Sequence, residues 1–80
     1  MKIVVKFLGV LKESAGKDQT VLELPGGATA GDAYQTARQF LPKDRRYPKV
    51  LLAINHEFAK TGARLKDGDE VALIPPMSGG

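Results

Sequence analysis

Apolar and polar positions alternate through residues 2–8, with Ile3, Val5 and Phe7 on one side of an extended chain and Val4, Lys6 and Leu8 on the other. A period of two predicts a strand, and the first set is its core face. Residues 9–18 mix glycine with charge; Leu11-Lys12-Glu13-Ser14-Ala15 fits one helical turn that Gly16 ends, giving a hairpin-like connection. Alternation resumes over residues 20–24, with Val21 against Leu22 and Leu24, and Pro25-Gly26-Gly27 closes this second, antiparallel strand. The period then changes. Thr29 is a natural N-cap, and Asp32 favours the positive helix terminus as a weaker relative of the capping box. Ala30, Ala33, Ala37 and either Phe40 or Leu41 recur at helical spacing, Asp32, Gln35, Arg38 and Gln39 lie opposite, and Pro42 ends the run.

Residues 43–48 are charged and punctuated by proline, which predicts a surface loop. Residues 50–54, Val-Leu-Leu-Ala-Ile, are the most apolar stretch and predict a central strand buried on both sides. Asn55-His56-Glu57 reads as a tight turn, because asparagine tolerates left-handed φ, and it leads to a short edge strand around Phe58-Ala59. Residues 61–64 fit a single 3₁₀ turn, Leu65 plugs the core, and Lys66-Asp67-Gly68-Asp69 supplies turn chemistry before a last strand over residues 70–74. In that strand Val71 and Leu73 face one side, Ala72 and Ile74 the other. Strand, strand, helix, strand, short strand, strand around one core is an α+β order. It predicts the β-grasp, or ubiquitin-like, arrangement: a mixed sheet of about five strands with one main helix on one face.

Eighty residues make one domain with room for one modest core, since a chain this small buries roughly 60 to 65% of the surface its unfolded form exposes. The expected division is a folded domain over residues 1–75 and a tail over residues 76–80. Cysteine is absent, so disulfides, zinc-thiolate sites and thiol nucleophiles are excluded. A net charge of +3, with acidic and basic residues interspersed, is too mild to imply nucleic-acid binding. The first residues lack a signal-peptide pattern and no stretch approaches about 18 apolar residues, so no membrane contact and a cytoplasmic location are expected.

Catalytic options are few. His56 is the only histidine and reads as a solvated turn residue; Ser14 and Ser78 have no histidine placed to activate them. Asp67, Asp69 and Glu70 match no calcium-loop spacing and are better explained by a turn, so no metal site is expected. Lys43, Arg45 and Arg46, and likewise Lys60, Arg64 and Lys66, read as solvated charges. Strand parity is more informative. With Val5, Phe7, Val71 and Leu73 turned to the helix, Leu8, Ile74 and Phe58 fall on the opposite, helix-free face, where large apolar side chains suggest a partner-docking surface.

Beside that surface the chain leaves its last strand as Pro75-Pro76-Met77-Ser78-Gly79-Gly80. The prolines fix φ and end the ladder, and the terminal glycines can thread a channel too narrow for any side chain. Five residues beyond Pro75 reach at most ~18 Å, enough to enter another protein's active site. An apolar docking face and a slim arm ending in a carboxylate describe a substrate or carrier for other enzymes. A carboxylate is a poor electrophile, so its use needs activation, most simply as a mixed anhydride with AMP made from ATP.

Leu51-Leu52-Ala53-Ile54-Asn55, Leu65-Lys66-Asp67-Gly68-Asp69-Glu70-Val71-Ala72 and Pro75-Pro76-Met77-Ser78-Gly79-Gly80 together resemble the small-subunit family of molybdopterin synthase, MoaD, among the ubiquitin-like sulfur carriers MoaD and ThiS. The resemblance covers nearly the whole chain and is most specific from Leu65 onward. It implies that Gly80 is adenylated by an E1-like enzyme, MoeB in bacteria, and converted to a thiocarboxylate with sulfur from a cysteine desulfurase or rhodanese-like protein. It further implies docking on a large subunit, MoaE, in a heterotetramer of two large and two small subunits, with sulfur passing to cyclic pyranopterin monophosphate to build the molybdopterin dithiolene. Catalytic residues would belong to the large subunit, and the carrier would bind no cofactor of its own. Carried over by position, Met77, Ser78, Gly79 and Gly80 with Pro76 are the arm, and Leu8, Phe58, Ile74 and Pro75 the docking positions. Met77 stands where a β-branched residue is common. The alternatives are a carrier for thiamine thiazole synthesis or tRNA thiolation, a ubiquitin-like modifier joined to lysines, and a binding module with an inert tail.

Overall fold

Ile3, Val5 and Phe7 are essentially removed from solvent, as the alternation of the first strand requires. In the computed structural model, which describes residues 1–42 and 49–76, they lie on β1 (Lys2–Phe7). The loop expected over residues 43–48, with its basic group, and the arm residues Met77, Ser78, Gly79 and Gly80 lie outside the described residues. After β1 come α1 (Val10–Ala15), β2 (Gln19–Glu23), α2 (Ala30–Ala37) and a 3₁₀ turn (Arg38–Phe40), then β3 (Leu51–Ile54), β4 (Glu57–Ala59) and β5 (Glu70–Ile74). The sheet order is β2-β1-β5-β3-β4, with β1 and β5 parallel and every other pair antiparallel. This is the β-grasp arrangement.

The helix is anchored more firmly than its sequence suggests. Thr29 Oγ1 accepts a hydrogen bond from the Asp32 N–H at 3.2 Å while the Asp32 carboxylate accepts from the Thr29 N–H at 2.9 Å, so the capping box is complete with aspartate in the usual glutamate place. Ala30, Ala33 and Ala37 are fully buried against the sheet, small enough to bring the helix close. Of the two candidates for the helix's last apolar contact, both serve: Leu41 is buried, and Phe40 meets Phe7 edge-on with ring centroids 6.3 Å apart. The helical turn before Gly16 is also present, with Gly16 left-handed at φ 73°.

One expectation is corrected. The most apolar run is not the central strand: β5 is, while β3 lies one place from the edge and its Leu51 is 49% exposed. A continuous apolar run reads the same whether its second face meets the protein or lies open. Near residues 61–64 the expected single turn is present, closed by the i→i+3 bond from the Ala63 N–H to the Lys60 carbonyl, with no longer 3₁₀ helix among the described residues. The other backbone groups of this stretch go to the helix start: the Ala30 N–H donates to the Ala63 carbonyl, Gly31 to Thr61, and Leu65 to Ala28. Gly31 permits this approach, since a Cβ there would sit 3.0 Å from the Thr61 carbonyl oxygen. Leu65 is buried in the core as expected.

Candidate functional site

The register of the five strands sorts the side chains of the helix-free face into rows. Lys6, Ala72, Ala53 and Phe58 lie side by side across β1, β5, β3 and β4. Leu51 pairs with Ile74 in the next row, and the Leu8 N–H donates to the Leu73 carbonyl at 3.3 Å, which carries that row on to Leu8. The result is an apolar surface made of Leu8, Ile74, Leu51 and Phe58 around the small Ala53 and Ala72. Phe58 is 75% exposed and Leu8 40%. Ala53 is buried yet stands outside the main core cluster, so its cover comes from its neighbours on this open face. Three of the positions expected to dock, Leu8, Phe58 and Ile74, are therefore brought together. Leu51 was missed, because its apolar run concealed which of its two faces lay open.

Polar groups bound the patch on one side. Glu70, in register with Val4, takes Lys6 Nζ at 3.0 Å and His56 Nε2 at 3.5 Å, and separates the patch from the exposed Val21. His56 is thus a surface partner of Glu70, consistent with its reading as a solvated turn residue.

The fourth expected docking position, Pro75, marks where the chain leaves the sheet. It is half-buried, and Pro76 is exposed. The proline ring lies over Gly9, the N-cap of α1, whose backbone is at φ 55°, ψ −132°, a region essentially closed to residues with a side chain. A Cβ at Gly9 would come within 3.1 Å of Pro75 Cγ. Gly9 therefore lets the β1–α1 connection pass directly beneath the exit of the last strand. Reading the chain for periodicity took Gly9 only as a loop residue; its place opposite Pro75 is set by the parallel pairing of β1 with β5.

The Asp-Gly-Asp-Glu turn proves to be a structural joint. Asp67 Oδ1 accepts from the Lys2 N–H at 2.7 Å, and the Asp69 carboxylate accepts from the Lys66 N–H and from Asn55 Nδ2 at 2.8 and 2.9 Å. Asn55 Oδ1 in turn accepts from the Glu70 N–H at 3.0 Å. These bonds tie the β3–β4 turn to the start of β5, and no group of three or more potential ligands is placed to hold a metal among the described residues.

The ThiS family model matches residues 5–80. The chain belongs to the ThiS family. A molybdopterin synthase sulfur carrier subunit of Chlamydomonas reinhardtii is 36% identical, over all of both chains. Small archaeal modifier protein 1 of Haloferax volcanii is 33% identical over 94% of this chain and 97% of its own. The crystal structure of SAMP1 from that organism has a TM-score of 0.84 with all of both chains covered. At 23% identity and a TM-score of 0.66, a chain of the protein-protein complex of subunits 1 and 2 of molybdopterin-converting factor from Helicobacter pylori shares the fold over the full length of both chains. In this ThiS-family chain the apolar face, the Gly9–Pro75 contact and the exit of the last strand lie together at one end of the sheet.

Proposed function

We propose that this protein is the sulfur-carrier small subunit of a molybdopterin synthase. The observation that carries the reading is the convergence of an exposed apolar face, made of Leu8, Leu51, Phe58 and Ile74, on the point where Pro75 leaves β5. Full-length likeness to molybdopterin synthase sulfur carrier subunits supports the same assignment. The domain over residues 1–75 docks, and the tail over residues 76–80 carries the sulfur. A Gly80 carboxylate oxygen attacks the α-phosphorus of ATP in the active site of an E1-like enzyme of the MoeB type, releasing pyrophosphate and leaving an acyl adenylate. Sulfide-level sulfur from a sulfur-mobilising enzyme displaces AMP, giving the thiocarboxylate.

The charged carrier then docks on the large subunit, MoaE, in an assembly of two large and two small subunits. Met77, Ser78 and Gly79 thread the terminus inward. The thiocarboxylate sulfur attacks a side-chain carbon of the pterin precursor, cyclic pyranopterin monophosphate, and displaces its oxygen substituent; water then cleaves the acyl carbon–sulfur bond, returning Gly80 to a carboxylate, and a second charged carrier supplies the second sulfur of the dithiolene in the same way. Reaction catalysts are supplied by the large subunit; this chain contributes the nucleophilic sulfur and its delivery. Reconstitution tests the pathway. Thiocarboxylated protein, large subunit and precursor are expected to yield one molybdopterin for every two carriers consumed, and absence of product with a competent large subunit would contradict the assignment.

The likeness to small archaeal modifier protein 1 favours one second reading, a modifier joined to lysines through the same activated terminus. Isopeptide-linked adducts in lysate that depend on Gly80 would distinguish it, as would failure of the carrier to support molybdopterin formation. A role in thiazole synthesis or tRNA thiolation rests on the same activation chemistry and differs only in the acceptor.

A further inference from the structure

The outer edge of β4 carries features that neither the helix-free face nor the tail explains. Beneath the β3–β4 hairpin lies an open cleft of about 400 Å³, lined by Ile54, Glu57, Ala59 and the Phe58 edge on one side and by Arg64, Lys66 and Asp69 on the other. Asn55 and His56 both have positive φ, 49° and 72°, the mark of a two-residue I′ turn. Such a turn makes Ile54 and Glu57 the hydrogen-bonded pair. By alternation the Phe58 N–H and carbonyl point outward, away from β3. β4 is also the last strand of the sheet, so these groups border the cleft with no neighbouring strand among the described residues.

Charge decides what would pair there. Arg64 and Lys66 are exposed, and no ion pair among the described residues uses either side chain. Of the two acids lining the cleft among the described residues, Asp69 is committed to the Lys66 N–H and to Asn55, which leaves Glu57 against the two cations. Lys60, next after β4, adds a further exposed cation. The edge is continuous with the docking face through Phe58, whose side chain stands on that face while its backbone borders the cleft.

We propose that the β4 edge takes an extended acidic segment of the partner that docks on the apolar face, pairing with the Phe58 backbone while its carboxylates meet Arg64 and Lys66. The inference rests on the docking reading and deepens it. Main-chain bonds to an edge strand give affinity with little demand on sequence, and the flanking cations restrict the choice to segments rich in aspartate and glutamate. Partners would then be selected at a place separate from the chemistry of the tail.

The test uses the full chain, isotopically labelled for amide NMR, and a short peptide alternating valine with glutamate; the controls are a valine–lysine peptide and inorganic phosphate. Saturable shifts at the amides of Phe58, Ala59, Lys60 and Arg64, weakened on the order of tenfold or more by Arg64→Glu with Lys66→Glu, would support the proposal. Both substituted side chains are exposed, and an unchanged remainder of the spectrum would report an intact fold. No shift with the glutamate peptide, equal shifts with the lysine peptide, equal shifts along the β2 edge, or the same shifts from phosphate alone would overturn it. The tail's capacity to accept sulfur does not depend on these two cations, so failure here and failure of the carrier reading give different results.

Discussion

Gly9 shows how much can depend on one position. Its backbone lies where only glycine is at ease, and its missing side chain is the space that Pro75 occupies. Gly9→Ala is expected to cost about 1 to 3 kcal/mol from backbone strain alone, with the Pro75 contact adding to it. Urea unfolding checks the value, and a cost within a few tenths would show that the chain re-routes freely. His56 is the opposite case: a residue with a side chain held at φ 72° in the second place of a turn that favours glycine. His56→Gly is expected to raise stability by about 0.5 to 1 kcal/mol, because relief of left-handed strain exceeds the greater freedom glycine gives the unfolded chain. A fall in stability would mean that the exposed His56–Glu70 contact matters more than its exposure implies. At this scale the sequence was partly legible. Asn55 announced its turn, whereas Gly9 did not, since its partner is 66 positions away and only the β1–β5 pairing brings them together.

At the scale of elements, local signals were strongest where the chain satisfies its own backbone. Thr29 and Asp32 cap α2 within four consecutive residues, and the start of the helix could be read directly. Thr29→Ala is expected to cost about 1 kcal/mol, measured as a lowered unfolding midpoint with an unchanged denaturant slope. Residues 61–64 were legible only as a turn, because their other hydrogen-bond partners are in the Ala28–Gly31 backbone, far away in sequence. The placing of β3 failed for a related reason. An apolar run records that both faces avoid water, and cannot say that one of them meets only small neighbours and a surface left open. The alternating strands β1 and β5 carried that information, and they were read correctly.

For the whole molecule, the apolar face is the feature with no use in an isolated chain. Leu51 and Phe58 are large, exposed and absent from the core cluster, so folding does not need them. Phe58→Asp and Leu51→Asp are each expected to leave stability within about 0.5 kcal/mol of the parent while weakening large-subunit binding by 2 kcal/mol or more, roughly thirtyfold. Titration calorimetry beside thermal unfolding separates the two effects, and equal loss in both would make the face structural. The β-grasp order and most of the apolar face were legible in the sequence because parity along β1 and β5 assigns their faces. The basic cleft was not, since its residues come from a hairpin and a loop that meet only in the folded chain.

The central claim is that Gly80 carries sulfur, and the intact mass of the protein tests it most directly after incubation with ATP, an E1-like activating enzyme and a sulfur source. The account predicts a gain equal to the difference between one sulfur and one oxygen atom, lost when Gly80 is deleted. An unchanged mass, with the same activating enzyme shown to charge another carrier, would contradict it.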